Sequence, residues 1–538
     1  MLRSRNVTAA RQRLEAWTTG SYRSNAGHAS SSPRNQPCRP NHSAATPSAG
    51  SLPPRPPRNA PQPSVKLVGG TSTVDKSTPS PPDAPPPKPS TGELLDVLKD
   101  TIKAHGPMPV SRYMTLCLQH PTLGYYTTRT VFGKEGDFIT SPEISQVFGE
   151  LLGIWYVTQW LAQGAPSKVR VIEVGPGRGT LLADILRTFR ALPEHSRPPV
   201  SSIHLVEASE QLRGVQKLKL ATTGFAETKT VWYGDIKEVP ASSDEFTIFI
   251  AHEFFDALPI HNTQNGWREV LVDVADPKAI VSSAKAIDPL RLVLAPTPTP
   301  ASALYSSLAQ AIFPTVAHQQ SPDLSSAAPA PRPSGLLNVD TTLGAQVPPS
   351  PRSAPAQVEK ATSLIAQRFA RLPIGSRLEV SPASWEIARD LAKLLGDGEA
   401  SPGGAGLVVD YGDAKAFGRS WRGFRKHQVV DPLTEPGHTD LTANVDFAYL
   451  AEAMSETADT PGPISQGRFL TALGLQPRLA ALLRSAPTEE RRKEIESAAR
   501  RLVDKTGMGE QYKVMGVVPK GKGQGVGEEA GVFPFNLQ

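Results

Sequence analysis

Between Val171 and Gly179 the chain reads VIEVGPGRG: an apolar run, a carboxylate at Glu173, then glycines at alternate positions. A strand-like run precedes this turn and a helix-forming run, TLLADILRTFRAL (180–192), follows it. That context separates a ligand-binding loop from a chance match. Gly175 permits the tight turn, Gly177 lets the backbone approach a ligand, and Gly179 lets the helix pack on the sheet. With Pro176 they form the candidate cofactor loop. The helix amides ahead of Thr180 attract carboxylates or phosphates.

Two cofactor classes use this design. A dinucleotide site has G-x-G-x-x-G and an acid about 20 residues on. Here the spacing is G-x-G-x-G, and the next strand-end acid is Glu207, 32 residues past Gly175. Three features favour S-adenosylmethionine: the strict alternation, the position of Glu173, and Asp235 at the end of a third strand. A carboxylate at Glu173 suits a cationic amino-acid cofactor better than a pyrophosphate. Asp235 can face an adenine, and Glu207 can accept from both ribose hydroxyls. Capping of the next helix stays open for each of these acids.

A second constellation follows the fourth expected strand, in HEFFDALPIH (252–261). Ligands sit at such strand ends. Methyl transfer needs mainly positioning and electrostatics. A guanidinium acceptor does not deprotonate in water, so carboxylates would orient it and take its proton as the C–N bond forms. Glu253 and Asp256 are the catalytic candidates. A helix cap beside a packed Phe pair is the alternative at Asp256. His252 and His261 flank the loop, but two histidines do not make a metal site, and no metal is expected.

These residues need a sheet to hold them. Strands are expected at 168–174, 202–208, 230–235 and 246–253, with helices at 180–192 and 210–221 between them. Alternation of this kind implies right-handed crossovers and a mostly parallel sheet. Further strands are expected at 269–274, 291–295, 376–381 and 406–412, and a capped helix at 381–395. Residues 140–162 carry apolar side chains at helical spacing, with Thr140 or Ser141 as cap and Pro142 in the first turn. Helical patterning starts near Glu93.

The 538-residue chain carries a net charge of +6. Residues 1–74 hold ten basic side chains and one acid, a local +9. Subtracting that +9 from +6 leaves −3 for the rest, so the body lacks a basic groove for nucleic acid. MLRSRNVTAARQRLEAWTTGSYRS is Arg-rich, nearly acid-free and near-amphipathic, as mitochondrial presequences are. Residues 25–91 are Ser/Pro-rich and cannot bury enough apolar surface to order. A second low-complexity stretch covers 296–357, with one apolar piece, SLAQAIF (307–313). No run approaches the roughly 18 apolar residues of a membrane span. Cys38 and Cys117 are the only cysteines, which excludes a disulfide scaffold.

The stretches GDFITSPEISQVFGELLGIW (136–155), VIEVGPGRGTLLADIL (171–186), HLVEAS (204–209), HEFFDALPIH (252–261), GSRLEVSPAS (375–384), VVDYG (408–412) and PGHTDLTANVDF (436–447) together resemble the MidA family of mitochondrial methyltransferases. GRFLTALGL (467–475) and GMGEQYKVM (507–515) match more loosely, and the resemblance covers roughly residues 91–538, less the insertion. It implies a class I S-adenosylmethionine-dependent methyltransferase: an α/β, Rossmann-like fold with a mostly parallel twisted sheet and additional helical N- and C-terminal segments. It implies the cofactor at Gly175, Gly177, Gly179 and Glu207, and an arginine of a respiratory complex I subunit as substrate. It makes Asp137, Ser141 and Glu143 candidates for the pocket wall. Two positions depart from the family pattern, His252 where Asn is expected and Asn444 where His is expected.

The expected organisation is then a presequence and linker (1–91), a helical segment (92–167), a methyltransferase core (168–295), an insertion (296–357), the rest of the core (358–448) and a C-terminal segment (449–538). The leading expectation is a mitochondrial matrix protein-arginine methyltransferase needed for complex I assembly, with a second copy of the chain as a candidate partner. The alternatives are a non-catalytic assembly protein on the same fold, an NAD(P)-dependent oxidoreductase and an RNA methyltransferase.

Overall fold

The computed structural model describes residues 93–128, 140–264, 268–276, 289–303, 364–373, 375–396, 401–522 and 531–537. The expected presequence and linker, the segment 307–313 and Asp137 lie outside the described residues. In chain order the helices used below are α1 (Glu93–His105), α2 (Val110–Gln119), α3 (Ser141–Ile144), α4 (Gln146–Ala162), α5 (Thr180–Ala191), α6 (Glu210–Ala221), α7 (Leu364–Ala370), α8 (Pro382–Leu394), α9 (Phe447–Met454), α10 (Gln466–Ala472), α11 (Leu475–Ser485) and α12 (Glu489–Val503). The strands are β1 (Val169–Val174), β2 (Val200–Val206), β3 (Lys229–Tyr233), β4 (Phe246–His252), β5 (His261–Gln264), β6 (Arg268–Val274), β7 (Leu290–Leu294), β8 (Arg377–Val380), β9 (Gly404–Asp413) and β10 (Tyr512–Pro519).

The main sheet has the order β3-β2-β1-β4-β9-β10. β1 pairs in parallel with β2 and β4, β2 with β3, and β4 with β9. β10 runs antiparallel to β9. β1 and β4 are buried along their whole length, as continuous apolar runs in a parallel sheet covered on both faces should be. The strand order reverses beside β1. In open α/β sheets the ligand crevice lies at such a reversal, outside the carboxyl ends of the strands. β10 starts at that same edge because it is antiparallel, so a residue near the C-terminus reaches the crevice.

The strands expected at 269–274, 291–295 and 376–381 form, but not in this sheet. They build a second, antiparallel sheet in which β6 pairs with β5 and β7, and β5 pairs with β8. Met108–Pro109 adds to β6. Its core packs against α1 and α2 through Leu98, Tyr113, Met114, Ile260 and Val272. The last strand of the main sheet comes from the C-terminal segment instead.

The single helix expected over 140–162 is two. The chain is extended at Ser145 (φ −156°, ψ 129°), and the Ser145 hydroxyl accepts from Val147 N to cap α4. Thr140 takes the N-cap position of α3 without a side-chain cap bond, and Ser141 is its first residue, so neither caps as expected. Pro142 does sit in the first turn. α4 is buried on nearly every side. Val147, Leu151, Ile154, Trp155 and Phe148 join the sheet core, and α10 and the C-terminal residues cover the rest. The Trp155 indole donates to Phe533 O (2.9 Å) and the Tyr156 hydroxyl to Phe249 O (2.7 Å). Glu150, buried in the same helix, is clamped by Arg478 of α11 (2.7 and 2.9 Å). No helix among the described residues is long and apolar enough to cross a membrane.

Candidate active site

The glycine loop leaves β1 and turns directly into α5. Gly175, Gly177 and Gly179 all have positive φ (62°, 51° and 73°). At Gly175 a Cβ would also stand 2.8 Å from Phe254 Cδ2, so the glycine is required by space as well as by backbone angle. Gly179 occupies the N-cap of α5 in the left-handed conformation, and its N–H donates to Pro176 O (2.7 Å). The first amides of α5 have no side-chain cap and face this turn.

Glu207 leaves the end of β2. One carboxylate oxygen accepts from Ser209 N (2.8 Å), the other from Gln216 Nε2 (3.2 Å). Burial raises its pKa. Gln216 is fully buried on α6 and also donates to Gly177 O (2.8 Å) while accepting from the Trp232 indole (2.8 Å). It ties the glycine loop to Glu207. A glutamine inside a helical stretch gave no sign of this role. Asp235 is exposed and caps the single turn Ile236–Glu238 through Lys237 N (2.9 Å).

Glu173 is 3% exposed, and its Oε2 has no hydrogen-bond partner. Burial and then Glu207 push its pKa up to about 8. A buried carboxylate without a counter-charge takes a proton, and an arriving cation would let it ionise. This orphaned oxygen and the Cβ-free turn at Gly175 fit a cationic cofactor with an aminoacyl tail.

The acceptor side lies at the ends of β4, β9 and β10. Glu253 has φ 49°, rare for a residue with a side chain, and is held by Glu253 N→Val409 O (3.0 Å). Its carboxylate accepts from the Tyr512 hydroxyl (2.8 Å) and from the backbone N–H of Ser141. Burial and then Asp256 push it up to about 8, with Glu143 adding to the rise. Asp256 is pushed up to about 6 by burial, against the pull of Arg422. Asp256 caps no helix. Asp410 does the capping instead: its Oδ2 accepts from the N–H groups of Phe254 (3.2 Å), Phe255 (2.9 Å) and Asp256 (3.3 Å). Asp410 is fully buried, and burial with the charges of Asp256 and Glu253 drives its pKa upward. Phe254 and Phe255 do pack edge to face (5.4 Å).

The structure therefore joins Glu253 to Ser141 and Glu143, which lie over a hundred residues before it in the sequence. The Ser141 side chain itself bonds Gln466 Oε1 (3.4 Å). Glu143 stands between Glu253 and Lys219, whose ammonium donates to Thr180 Oγ1 (2.8 Å). Asp410, Tyr512 and Gln216 were not expected as site residues. VVDYG was noted only as a family stretch, and Tyr512 lies in the looser family match GMGEQYKVM (507–515), where nothing local marks it as a site residue.

The two departures from the family pattern differ: Asn444 is hydrogen-bonded, while His252 Nε2 is buried without a hydrogen-bond partner. His252 is buried among Phe148 and Tyr512 (ring centres 5.2 and 6.5 Å), and burial pushes its pKa down to about 3. It is neutral, so its 3.5 Å approach to Glu253 is not an ion pair. Asn444 accepts from Arg422 Nη1 (2.7 Å) and so steadies the guanidinium facing Asp256.

Residues 151–464 match the family described as "Putative S-adenosyl-L-methionine-dependent methyltransferase". The Mus musculus protein arginine methyltransferase NDUFAF7, mitochondrial, is 34% identical over 81% of this chain and 86% of its own. The Homo sapiens protein of the same name is 33% identical over 80% of this chain and 85% of its own. The Drosophila melanogaster homolog is 33% identical over the same shares, 80% and 85%. A crystal structure from Burkholderia thailandensis of a protein described as a "superfamily member and likely methyl transferase", bound to S-adenosyl-homocysteine, superposes with a TM-score of 0.56 at 23% identity, covering 81% of this chain and 95% of that one. At that identity the likeness concerns the fold.

Proposed function

The chain belongs to this S-adenosyl-L-methionine-dependent methyltransferase family, and from that premise we propose that it methylates an arginine of a respiratory complex I subunit in the mitochondrial matrix. Its relatives' names support the arginine, the mitochondrion and, through NDUFAF7, the assembly role. The observation that carries the reading is the carboxylate cluster at the strand ends. Glu253, Asp256 and Asp410 are buried together, with Glu143 beside them, and their raised pKa values mark a site short of positive charge. A guanidinium supplies that charge and offers planar donors to two carboxylates.

S-adenosylmethionine, when bound, supplies a sulfonium-activated methyl group. Gly175, Gly177 and Gly179 would hold it with Glu207 at the ribose and Glu173 at the cationic tail, and Pro176 shapes the turn. Asp235 is the outermost of these candidates. The remaining steps belong to the acceptor side. Glu253 orients the guanidinium, with the Tyr512 hydroxyl and the Ser141 N–H fixing the carboxylate. Asp256 bears on the second edge. As the C–N bond forms, the guanidinium nitrogen loses its proton to Glu253, and a base whose pKa lies near working pH suits that transfer. Asp410 holds the 254–256 loop through its three N–H bonds, which keeps both carboxylates in place. Ser141 and Glu143 form part of the pocket wall.

The test uses the full chain, labelled S-adenosylmethionine and separated complex I subunits, with mass spectrometry of the products. Methylarginine on one subunit, absent with Glu253→Gln, supports the reading. Calorimetric binding of the cofactor with no transfer to any subunit would move the protein to the non-catalytic assembly role.

A further inference from the structure

A cleft of about 630 Å³ lies away from the strand ends, on the antiparallel sheet between β5, β7, β8 and the turn 418–421. Volumes of this order take a drug-sized ligand or a few residues of extended chain. Gly418 brings the turn hard against β8: a Cβ there would meet Arg377 O at 2.0 Å. Arg291, Arg377 and Arg419 line the cleft. Arg291 is paired with Asp273 (3.0 Å). Arg377 and Arg419 are exposed and have no carboxylate partner among the described residues. The two acids of the lining are already engaged. Glu379 accepts from Ser420 N (3.0 Å) and Trp421 N (3.1 Å), and Asp431 from Leu433 N (2.9 Å).

Two buried polar atoms of the lining residues lack hydrogen-bond partners, Asn262 Oδ1 and Trp421 Nε1. One accepts and one donates, the complement of a peptide N–H and C=O. Both are covered from solvent, so meeting a ligand takes a small side-chain rotation. The cleft also shares a wall with the active site. Trp421 and Arg422 are neighbours on extended chain, where successive side chains point to opposite faces. Trp421 lines the cleft, while Arg422 bonds Asn444 and bears on Asp256. Ser420 links the two, donating to Glu379 and accepting from Asn444 N (2.9 Å).

We propose that this cleft is a docking subsite for the protein substrate, taking an extended segment whose acidic side chain pairs with Arg377 and Arg419. The inference rests on the reading that the substrate is a protein arginine, and it adds a charge signature to the sequence around that arginine.

Fluorescence anisotropy on the full chain tests it, with a labelled Glu-Leu-Glu-Leu-Glu peptide as probe. The Lys-Leu-Lys-Leu-Lys peptide and free glutarate serve as competitors. Wild-type protein is expected to bind the acidic peptide at least about tenfold more tightly than the Arg377→Glu/Arg419→Glu variant does, since two charge-assisted hydrogen bonds are lost. Cofactor affinity of that variant, measured by calorimetry, is expected to stay unchanged and reports that it is folded. Equal binding by the two proteins, or preference for the lysine peptide, overturns the proposal. Glutarate competing as well as the peptide also overturns it, because the cleft then takes a small acid. Anisotropy reads binding without methyl transfer, so failure here and failure of the arginine assay are separate results.

Discussion

On the cofactor side, Glu173, Gly175, Gly177, Gly179 and Glu207 come from one strand-turn-helix-strand unit, and backbone conformation does most of the shaping. On the acceptor side, Ser141, Glu253, Asp410 and Tyr512 come from four distant parts of the chain, and buried side chains make the site. A site built from backbone turns tolerates change in its surroundings. A site built from mutually repelling buried carboxylates depends on every partner that holds them. The two halves touch at Phe254, which packs over Gly175 while its N–H is held by Asp410.

If the halves are separable, single substitutions should divide binding from transfer. The largest expected effect is Glu253→Gln. It removes the proposed proton acceptor, so single-turnover methyl transfer should fall about 10²–10³-fold. Calorimetric cofactor affinity should stay within about twofold, since the Glu253 carboxylate is held by Tyr512 and the Ser141 N–H and not by the glycine loop. Loss of both together would end the division.

Glu207→Ala is the mirror experiment. It deletes a charge-assisted acceptor of the kind worth about 1.5–3 kcal/mol, so cofactor affinity should weaken about 10–100-fold in the same titration. The Ser209 N–H and the Gln216 amide lose their partner as well.

Asp410→Ala probes the shared border. Three N–H groups of the 254–256 loop lose their acceptor, two of them on buried residues. Denaturant unfolding should show a loss of about 1–3 kcal/mol. Methyl transfer should fall further than cofactor binding does. Unchanged stability would mean that the loop is held by something else.

The last effect is a pH dependence at Glu173. Its pKa rises from 4.5 unfolded to about 8 folded, so the folded chain keeps a proton across that window which the unfolded chain has released. Stability from this group therefore falls as pH rises from about 4.5 to 8. Glu173→Gln removes that slope. Its melting temperature should exceed wild type by more at pH 8 than at pH 5. A gap that is constant across pH would remove the buried charge as the cause.

Much of this was legible locally. The glycine turn and the four parallel strands follow from spacing, because a βαβ unit closes its own contacts within a few dozen residues. Ser145 was read as helix because its neighbours keep the 3.6 period. Only the backbone break that carries Ser141 to Glu253 separates α3 from α4. Asp235 could be read as either cap or ligand, and the structure shows the cap bond.

Sequence alone determined that residues 168–253 would form a parallel sheet with a glycine turn after its first strand and carboxylates at four strand ends. Alternating apolar runs and glycines at alternate positions act over short range, so composition and spacing suffice. The tertiary structure alone decided that β10 returns from the C-terminus to bring Tyr512 onto Glu253. It also decided that Asp410 caps the loop holding Asp256, and that strands 261–294 leave the main sheet to form a second one. Those contacts depend on which edge of a sheet is free and which buried carboxylate can find a donor. Both are properties of the packed chain, and no stretch of residues carries them by itself.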